Sequence, residues 1–290
     1  MEVILSKPYG YCAGVANAVA LAYKVKRDNP NRKIVILGML IHNEDTLKQL
    51  ENDGISTLFD KNKTLLELAD EIDKNSIVIL TAHGHSESLE KKLNGLGIEF
   101  IDTTCPFVKL TFKEIKKAIS EGHEVIYIGK ENHPEANAAI SISEKVHLLD
   151  ISKKEIPQIE DKSPLVINQT TFSHMEIEDI LSKIKEVYKS ANIFNTICDA
   201  STKRQEAILS LPKNVELIYV VGGKNSNNAK TLFELAKSHY KNAAVKLIQN
   251  ENDINKKDLR GLNLVAISSG ASTPKEISES IKAKIELLCN

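Results

Sequence analysis

No stretch of this chain approaches the roughly 18 consecutive apolar residues that a membrane span needs. Neither charge sign is in excess: 38 Lys and Arg stand against 39 Asp and Glu, a formal net charge of −1. That balance gives no case for nucleic acid or an anionic membrane as the main partner. The amino terminus starts Met1-Glu2 and is soon broken by Pro8 and Gly10. It lacks the basic and apolar regions of a secretory signal, so a cytoplasmic location is expected. Nucleotide fingerprints are missing too. There is no GxxxxGK[ST], and Gly95-Leu96-Gly97 has no third glycine and leads into a strand pattern, not a helix. Without a nicotinamide or flavin motif, electrons for any redox step must come from another protein. No linker rich in Pro, Gly or Ser and no low-complexity tract divides the chain. Cysteine is sparse, four in 290 residues, with no CxxC pair. Disulfides are not expected in a reducing compartment, which leaves inert burial or metal ligation.

What the chain does contain is a repeat. The spacing from Cys12 to Cys105 and from Cys105 to Cys198 is 93 residues in both cases, and other landmarks repeat with it. Each cysteine opens a helical pattern. Val15, Val19 and Ala22 follow Cys12; Pro106 and a stripe of Val108, Phe112, Ile115 and Ile119 follow Cys105. Helix formers from Asp199 to Leu211 follow Cys198 and stop at Pro212. A β-branched apolar run ending in glycine comes next, at 33–38, 124–129 and 217–222, and four residues beyond each glycine stand His42, His133 and Ser226. Later apolar runs at 76–80, 164–167 and 263–267 lead into Thr81-Ala82-His83-Gly84, Asn168-Gln169-Thr170-Thr171 and Ser269-Gly270-Ala271-Ser272.

Near-continuous apolar strands suit parallel sheets covered by helices on both faces. Ligands of such sheets gather beyond the carboxyl ends of the strands, where the cysteines and polar motifs fall. The fold class is therefore α/β. Three pseudo-symmetric units are expected, each reading strand–Cys–helix–strand–polar–helix–strand–helix–strand–polar–helix. Their bounds are 13–104, 105–196, and 1–12 with 197–290, the strand candidate Glu2–Ser6 completing the third. This wiring predicts a closed ring that directs three cysteines at its axis.

Three thiolates at helix starts do not complete a four-coordinate zinc site. They can hold an iron–sulfur cluster with one iron open to a substrate oxygen. Structural zinc, or an iron–sulfur carrier or sensor, is the non-enzymatic alternative, although a carrier commonly has four protein ligands. His42, His83, His133, Ser226, Asn228 and Ser272 offer donors, and with protonated histidine positive charge, for a small phosphate or diphosphate. Glu135 is the carboxylate of the His133-Pro134-Glu135 motif and can deliver protons. Cys289 falls outside the repeat and reads as incidental. His85, His123, His147, His174 and His239 read as structural or solvated.

Nine segments in order carry a family pattern. They are Cys12-Ala13-Gly14-Val15, Ile41-His42-Asn43, Thr81-Ala82-His83-Gly84, Asp102-Thr103-Thr104-Cys105-Pro106, His133-Pro134-Glu135, Gln169-Thr170-Thr171, Arg204-Gln205-Glu206-Ala207, Lys224-Asn225-Ser226-Asn227-Asn228 and Gly270-Ala271-Ser272-Thr273-Pro274. Together they resemble the hydroxymethylbutenyl diphosphate reductases (the IspH/LytB family), which perform the last step of the methylerythritol phosphate pathway. The resemblance implies a three-unit ring around a [4Fe–4S] cluster held by Cys12, Cys105 and Cys198, its open iron taking the substrate hydroxyl. It implies a substrate site of His42, His83, His133, Thr170, Ser226, Asn228 and Ser272. It implies catalytic roles for Glu135, Thr170 and His133, with Glu135 in the proton path that releases water. Isopentenyl and dimethylallyl diphosphate are the implied products, and ferredoxin or flavodoxin the implied electron donor. A monomer is expected, without the C-terminal domains some members carry. Asn227, Ser201 and Asn168 depart from the family pattern, and Ser201 keeps the hydroxyl of the usual Thr. Quinolinate synthase and diphthamide-type enzymes share the three-cysteine architecture but lack the His133-Pro134-Glu135 and Thr81-Ala82-His83-Gly84 motifs.

Overall fold

The structure, a computed structural model, describes residues 1–289. The chain runs through β1 (Glu2–Leu5), α1 (Ala13–Asp28), β2 (Ile34–Leu37), α2 (Glu44–Asn52), β3 (Ile55–Leu58), α3 (Leu65–Ala69), β4 (Ile77–Leu80), α4 (Glu87–Leu96) and β5 (Glu99–Asp102). It continues through α5 (Pro106–Ser120), β6 (Val125–Gly129), α6 (Pro134–Ile140), β7 (Val146–Asp150), β8 (Leu165–Asn168), α7 (His174–Val187) and β9 (Asn192–Phe194). It closes with α8 (Asp199–Leu209), β10 (Leu217–Val221), α9 (Asn227–His239), β11 (Ala244–Ile248), β12 (Leu264–Ser269) and α10 (Lys275–Cys289). Among the described residues no helix is long and apolar enough to cross a membrane.

The strands form three four-stranded sheets in one repeated order: β3-β2-β4-β5, β7-β6-β8-β9 and β11-β10-β12-β1. Every pairing is parallel. The amino-terminal strand lies along β12, with Glu2 opposite Leu264 and Leu5 opposite Ile267. The six interior strands are buried along their whole length, as their unbroken apolar runs predict. Helices cover both faces. In β10, Ile218 and Val220 pack with Ile208 of α8 and Leu232 of α9, while Leu217, Tyr219 and Val221 pack with Ile281 and Ile285 of α10. In β6, Val125 and Tyr127 pack with Ile115 of α5 and Ala136 of α6, and Ile126 and Ile128 with Ile177, Ile180 and Ile184 of α7. Each such aliphatic side chain contributes about 1.5–3 kcal/mol on burial.

Chain contacts divide the molecule into two compact units. One comprises Met1–Val15, His42–Thr46 and the chain from Cys198 on, and holds the sheet with β1. The other comprises Ala16–Ile41 and Leu47–Ile197, and holds the other two sheets.

One expectation fails. A helix between the edge strand and the next interior strand exists as α3, but residues 151–164 have none, and the link from β11 to β12 has two 3-10 turns, Glu251–Asp253 and Lys256–Leu259. Short polar side chains take the backbone donors that a helix needs. Asp150 accepts the Ser152 N–H at 2.7 Å, Asp161 accepts Ser163 N–H at 2.7 Å, and Asn250 accepts Asn252 N–H at 3.1 Å. Pro157 and Pro164 remove two more donors from the 151–164 link.

Helix α9 lies unusually close to the strand ends. A Cβ on Gly222 would stand 2.5 Å from the Ala229 methyl, and one on Gly270 would stand 3.1 Å from it. The first turn of α9 therefore requires glycine at 222 and packs tightly on Gly270. Gly222→Ala should destabilise the protein by about 1–3 kcal/mol, and adding Ala229→Gly should restore part of the loss. Urea unfolding of the single and double variants measures this as a coupling above about 0.5 kcal/mol; strictly additive losses would rule the contact out as the cause.

Candidate active site

In the unit that holds β1, a hydrogen-bond path joins the segments of two cysteines. The Cys12 N–H donates to Ala271 O at 3.0 Å, and the Ala271 N–H donates to Asn228 Oδ1 at 2.9 Å. Asn228 Nδ2 donates to Ser201 Oγ at 2.9 Å, and Ser201 Oγ lies 3.2 Å from Cys198 Sγ. The hydroxyl kept at position 201 thus sits between a sulfur and an amide. Cys198 is the N-cap of α8, and the Val15 N–H at the start of α1 points at Cys12 Sγ from 3.5 Å. Ser226 caps α9 by accepting the Ala229 N–H at 3.3 Å. Ser272 donates to the His42 carbonyl at 3.1 Å and lies 3.4 Å from Ser226 Oγ. His42, Ser226, Asn228 and Ser272 are thereby brought together within this unit. Burial, helped by the charge of Lys230, pulls the His42 imidazole down to about 4. The expected imidazolium is therefore not the resting form at this position; desolvation disfavours it.

Arg204 of α8 is a buried cation in the same unit. Nη2 donates to Gly10 O at 2.6 Å and Nη1 to Ala200 O at 3.0 Å, bracketing the approach to Cys12 and the exit from Cys198. Desolvation draws its pKa below the ordinary value, against the opposing effect of Cys12 and Cys198.

The other unit carries the remaining residues. Cys105 is the N-cap of α5, and its N–H donates to Ala82 O at 3.0 Å. His83 stands in the turn after β4. Gly84 follows it at φ +88°, and a Cβ there would meet the Phe112 ring at 2.6 Å, so both conformation and space demand glycine. His133 caps α6 by accepting the Glu135 N–H on Nδ1 at 3.2 Å. The neutral ring then carries its hydrogen on Nε2. The His83 and His133 rings meet edge to face, with centroids 5.8 Å apart.

Glu135, in the first turn of α6, is 1% exposed. Its Oε1 accepts the Thr170 N–H at 2.9 Å and the Tyr127 O–H at 3.2 Å; its Oε2 accepts from Thr170 Oγ1 at 2.9 Å. Burial pushes the carboxyl up to about 7, with the Thr170 and Tyr127 hydrogen bonds opposing the rise. A carboxyl poised there can give up a proton near neutral pH. Sequence reasoning missed Tyr127, because a tyrosine in a buried strand reads as core. Other histidines outside the motifs are held by carboxylates: His85 by Glu90 at 2.8 Å, His123 by Asp161 at 3.0 Å and His147 by Glu124 at 2.9 Å. Cys289 is exposed at the end of α10.

The cysteines suit a thiolate-bound cluster chemically. None is in a disulfide, Cys12, Cys105 and Cys198 are each half-buried, and neither Cys105 nor Cys198 spends its sulfur on capping its helix. Helix starts favour thiolate. Among the described residues no three His, Cys, Asp or Glu side chains are gathered as a ready ion site.

Comparison with known proteins is consistent across methods. The family model described as LytB protein matches residues 3–286. The chain is similar to the 4-hydroxy-3-methylbut-2-enyl diphosphate reductase of Malacoplasma penetrans, 37% identical over 281 residues, which are 94% of this chain and 93% of the relative. It is similar to the enzyme of the same name from Geobacillus sp., 37% identical over 97% of this chain and 89% of the relative. Its structure resembles that of E-1-hydroxy-2-methyl-but-2-enyl-4-diphosphate reductase from Plasmodium falciparum, with TM-score 0.86 and 26% identity, covering 99% of this chain and 88% of that one.

His42 and Glu135 bend stability with pH in opposite directions. The unfolded chain protonates His42 near pH 6.5 but the folded one only near 4, so stability falls as pH drops through that window. Glu135 keeps its proton to about 7 when folded and to about 4.5 when unfolded, so its contribution is full below the lower value and is lost as pH rises through the upper one. His42→Gln should remove an acid-side loss of about 2–3 kcal/mol, and Glu135→Gln the opposing loss. Urea unfolding between pH 4 and 7 reads both slopes, and a variant with the wild-type slope would show that its group is not the source.

Proposed function

This chain belongs to the LytB protein family, and we propose that it is a 4-hydroxy-3-methylbut-2-enyl diphosphate reductase acting in the cytoplasm as a monomer. The observation that carries the reading is Glu135, a fully buried carboxyl tuned to about 7 and bonded to the Thr170 hydroxyl. Near full-length similarity to reductases of that name supports it. Cys12, Cys105 and Cys198 are the proposed ligands of a [4Fe–4S] cluster, which when bound supplies electrons and an open Lewis-acidic iron for the substrate hydroxyl.

The polypeptide's part is to bind, orient and protonate. His42, Ser226, Asn228 and Ser272, with His83 and His133, are assigned to the substrate diphosphate. Most are neutral donors fixed by helix caps and backbone bonds, so little reorganisation is needed when the anion arrives. Thr170 is assigned to the substrate hydroxyl. A single hydrogen fits between Glu135 Oε2 and Thr170 Oγ1. When the carboxyl holds it, the Thr170 hydroxyl hydrogen is free to turn elsewhere. Thr170 then passes that hydrogen to the departing hydroxyl while Glu135 replaces it, and water leaves as the C–O bond breaks. His133 completes the set beside Glu135. Overall, two electrons and two protons convert the alcohol to isopentenyl or dimethylallyl diphosphate and water. The chain has no nucleotide fingerprint, so the electrons are assigned to another protein, and the family resemblance implies ferredoxin or flavodoxin as that donor. The step is the last of the methylerythritol phosphate pathway.

Anaerobically purified protein should contain about four irons per chain with matching sulfide, and its visible spectrum should change on adding the diphosphate substrate. A colourless zinc protein, even after anaerobic reconstitution, would overturn the assignment. Glu135→Gln should still give the spectral change on binding but lose roughly 10²–10⁴ in turnover. Near-normal turnover in that variant would remove Glu135 from the proton path.

A further inference from the structure

Glu135 has a partner for which the proposed reaction has no use. Tyr127 lies mid-strand in β6, fully buried, and its ring packs with Ile115, Ala136, Ala139 and Ile167. Its hydroxyl reaches beyond that core to donate to Glu135 Oε1 at 3.2 Å. The face of β10 that packs on α8 and α9 carries Ile218 and Val220 instead. The phenol thus lies beneath the helix that starts with a carboxyl, and has no counterpart on that face of β10.

The donors around the carboxyl are not equivalent. Oε1 takes the Thr170 N–H and the Tyr127 O–H, while Oε2 faces the Thr170 hydroxyl. A backbone N–H can only donate. The Tyr127 hydroxyl has Glu135 as its hydrogen-bond partner and lies fully buried beside an apolar core, so turning its hydrogen away would leave a buried donor unpaired. It also keeps its proton more tightly than usual, through burial first and the adjacent Glu135 second. The Thr170 hydroxyl, by contrast, can turn from donor to acceptor.

We propose that Tyr127 is a positioning residue that, together with the Thr170 N–H, fills Oε1 and so confines the Glu135 hydrogen to Oε2, opposite the one partner able to accept it. The catalytic meaning rests on the proton path proposed above; the placement of the hydrogen does not. The ionisable groups facing Glu135 are Tyr127 from β6 and His133 at the α6 cap. From α5 the same core receives Ile115 and Ala118, beyond β8 the chain presents Gln169 and Thr170, and the groups that act on the carboxyl besides burial are Thr170 and Tyr127, with no charged side chain among them.

Tyr127→Phe keeps the ring and removes the donor. Infrared titration of the full chain, with the carboxylic-acid band assigned by its loss in Glu135→Gln, reads the protonation directly. The midpoint in Tyr127→Phe should rise by about half a pH unit or more, roughly a threefold change in acid constant, because a donor that favours the carboxylate is gone. In the reductase assay kcat should fall several-fold with KM unchanged. Should that variant not fold, 3-fluorotyrosine at position 127, a stronger donor of nearly the same shape, should move the midpoint down. An unmoved midpoint in a folded variant overturns the proposal. A moved midpoint in a protein without reductase activity would overturn the functional reading and leave Tyr127 in its role.

Discussion

A parallel sheet buried on both faces leaves its polar side chains one place to go, the ends of the strands. That constraint is met three times in this chain. The interior strands β2, β4, β6, β8, β10 and β12 are closed to solvent along their length. His42, His83, His133, Thr170, Ser226 and Ser272 all follow the carboxyl end of one of them. Because these segments are themselves buried, their polar atoms need internal partners. Thr103 donates to Leu80 O at 2.5 Å, Thr273 to Val221 O at 3.0 Å, and Thr196 to Asn168 O. The strand-end loops are therefore cross-tied to the strands, and the site residues inherit the rigidity of the sheets.

The same burial sets the charge state of the site. Burial pulls His42 down to about 4 and pushes Glu135 up to about 7, so the imidazole is held neutral across the working range and the carboxyl, fully ionised in water near neutral pH, approaches neutrality. A set of neutral donors binds an anion without first paying to desolvate its own charges. It also leaves Glu135 able to donate a proton, which an ordinary surface carboxylate near neutral pH cannot do.

Much of this was legible in the sequence because the repeat constrained it. Individual apolar runs are ambiguous, but three in register with three cysteines fix strand positions to within a residue or two: 33–38 became β2 at 34–37, and 217–222 became β10 at 217–221. Counting which unit lacked a strand pointed to the amino-terminal segment as its missing one, and the structure pairs that segment with β12. What stayed hidden has physical causes. The link between β7 and β8 has no motif to mark it, and its conformation is decided by Asp150 and Asp161 side chains that compete for backbone donors. The link from Cys198 through Ser201 and Asn228 to Cys12 spans sequence separations that no local pattern reports. Tyr127 was hidden by its own good fit, since its ring serves the core and only its oxygen serves Glu135.

Arg204 offers a charge argument for the cysteines that is independent of their spacing. A buried carboxyl can escape desolvation by holding a proton, as Glu135 does, but a guanidinium cannot shed its own in the same way. It must be met by acceptors and by negative charge. Arg204 is 3% exposed, and it donates to two backbone carbonyls, Gly10 O and Ala200 O. Carbonyl dipoles satisfy hydrogen bonds without neutralising a cation. The groups that oppose the desolvation of this arginine are Cys12 and Cys198. Arg204 therefore places a buried positive charge between the Cys12 and Cys198 segments, a setting that favours negative charge there and so suits cysteine as a ligand.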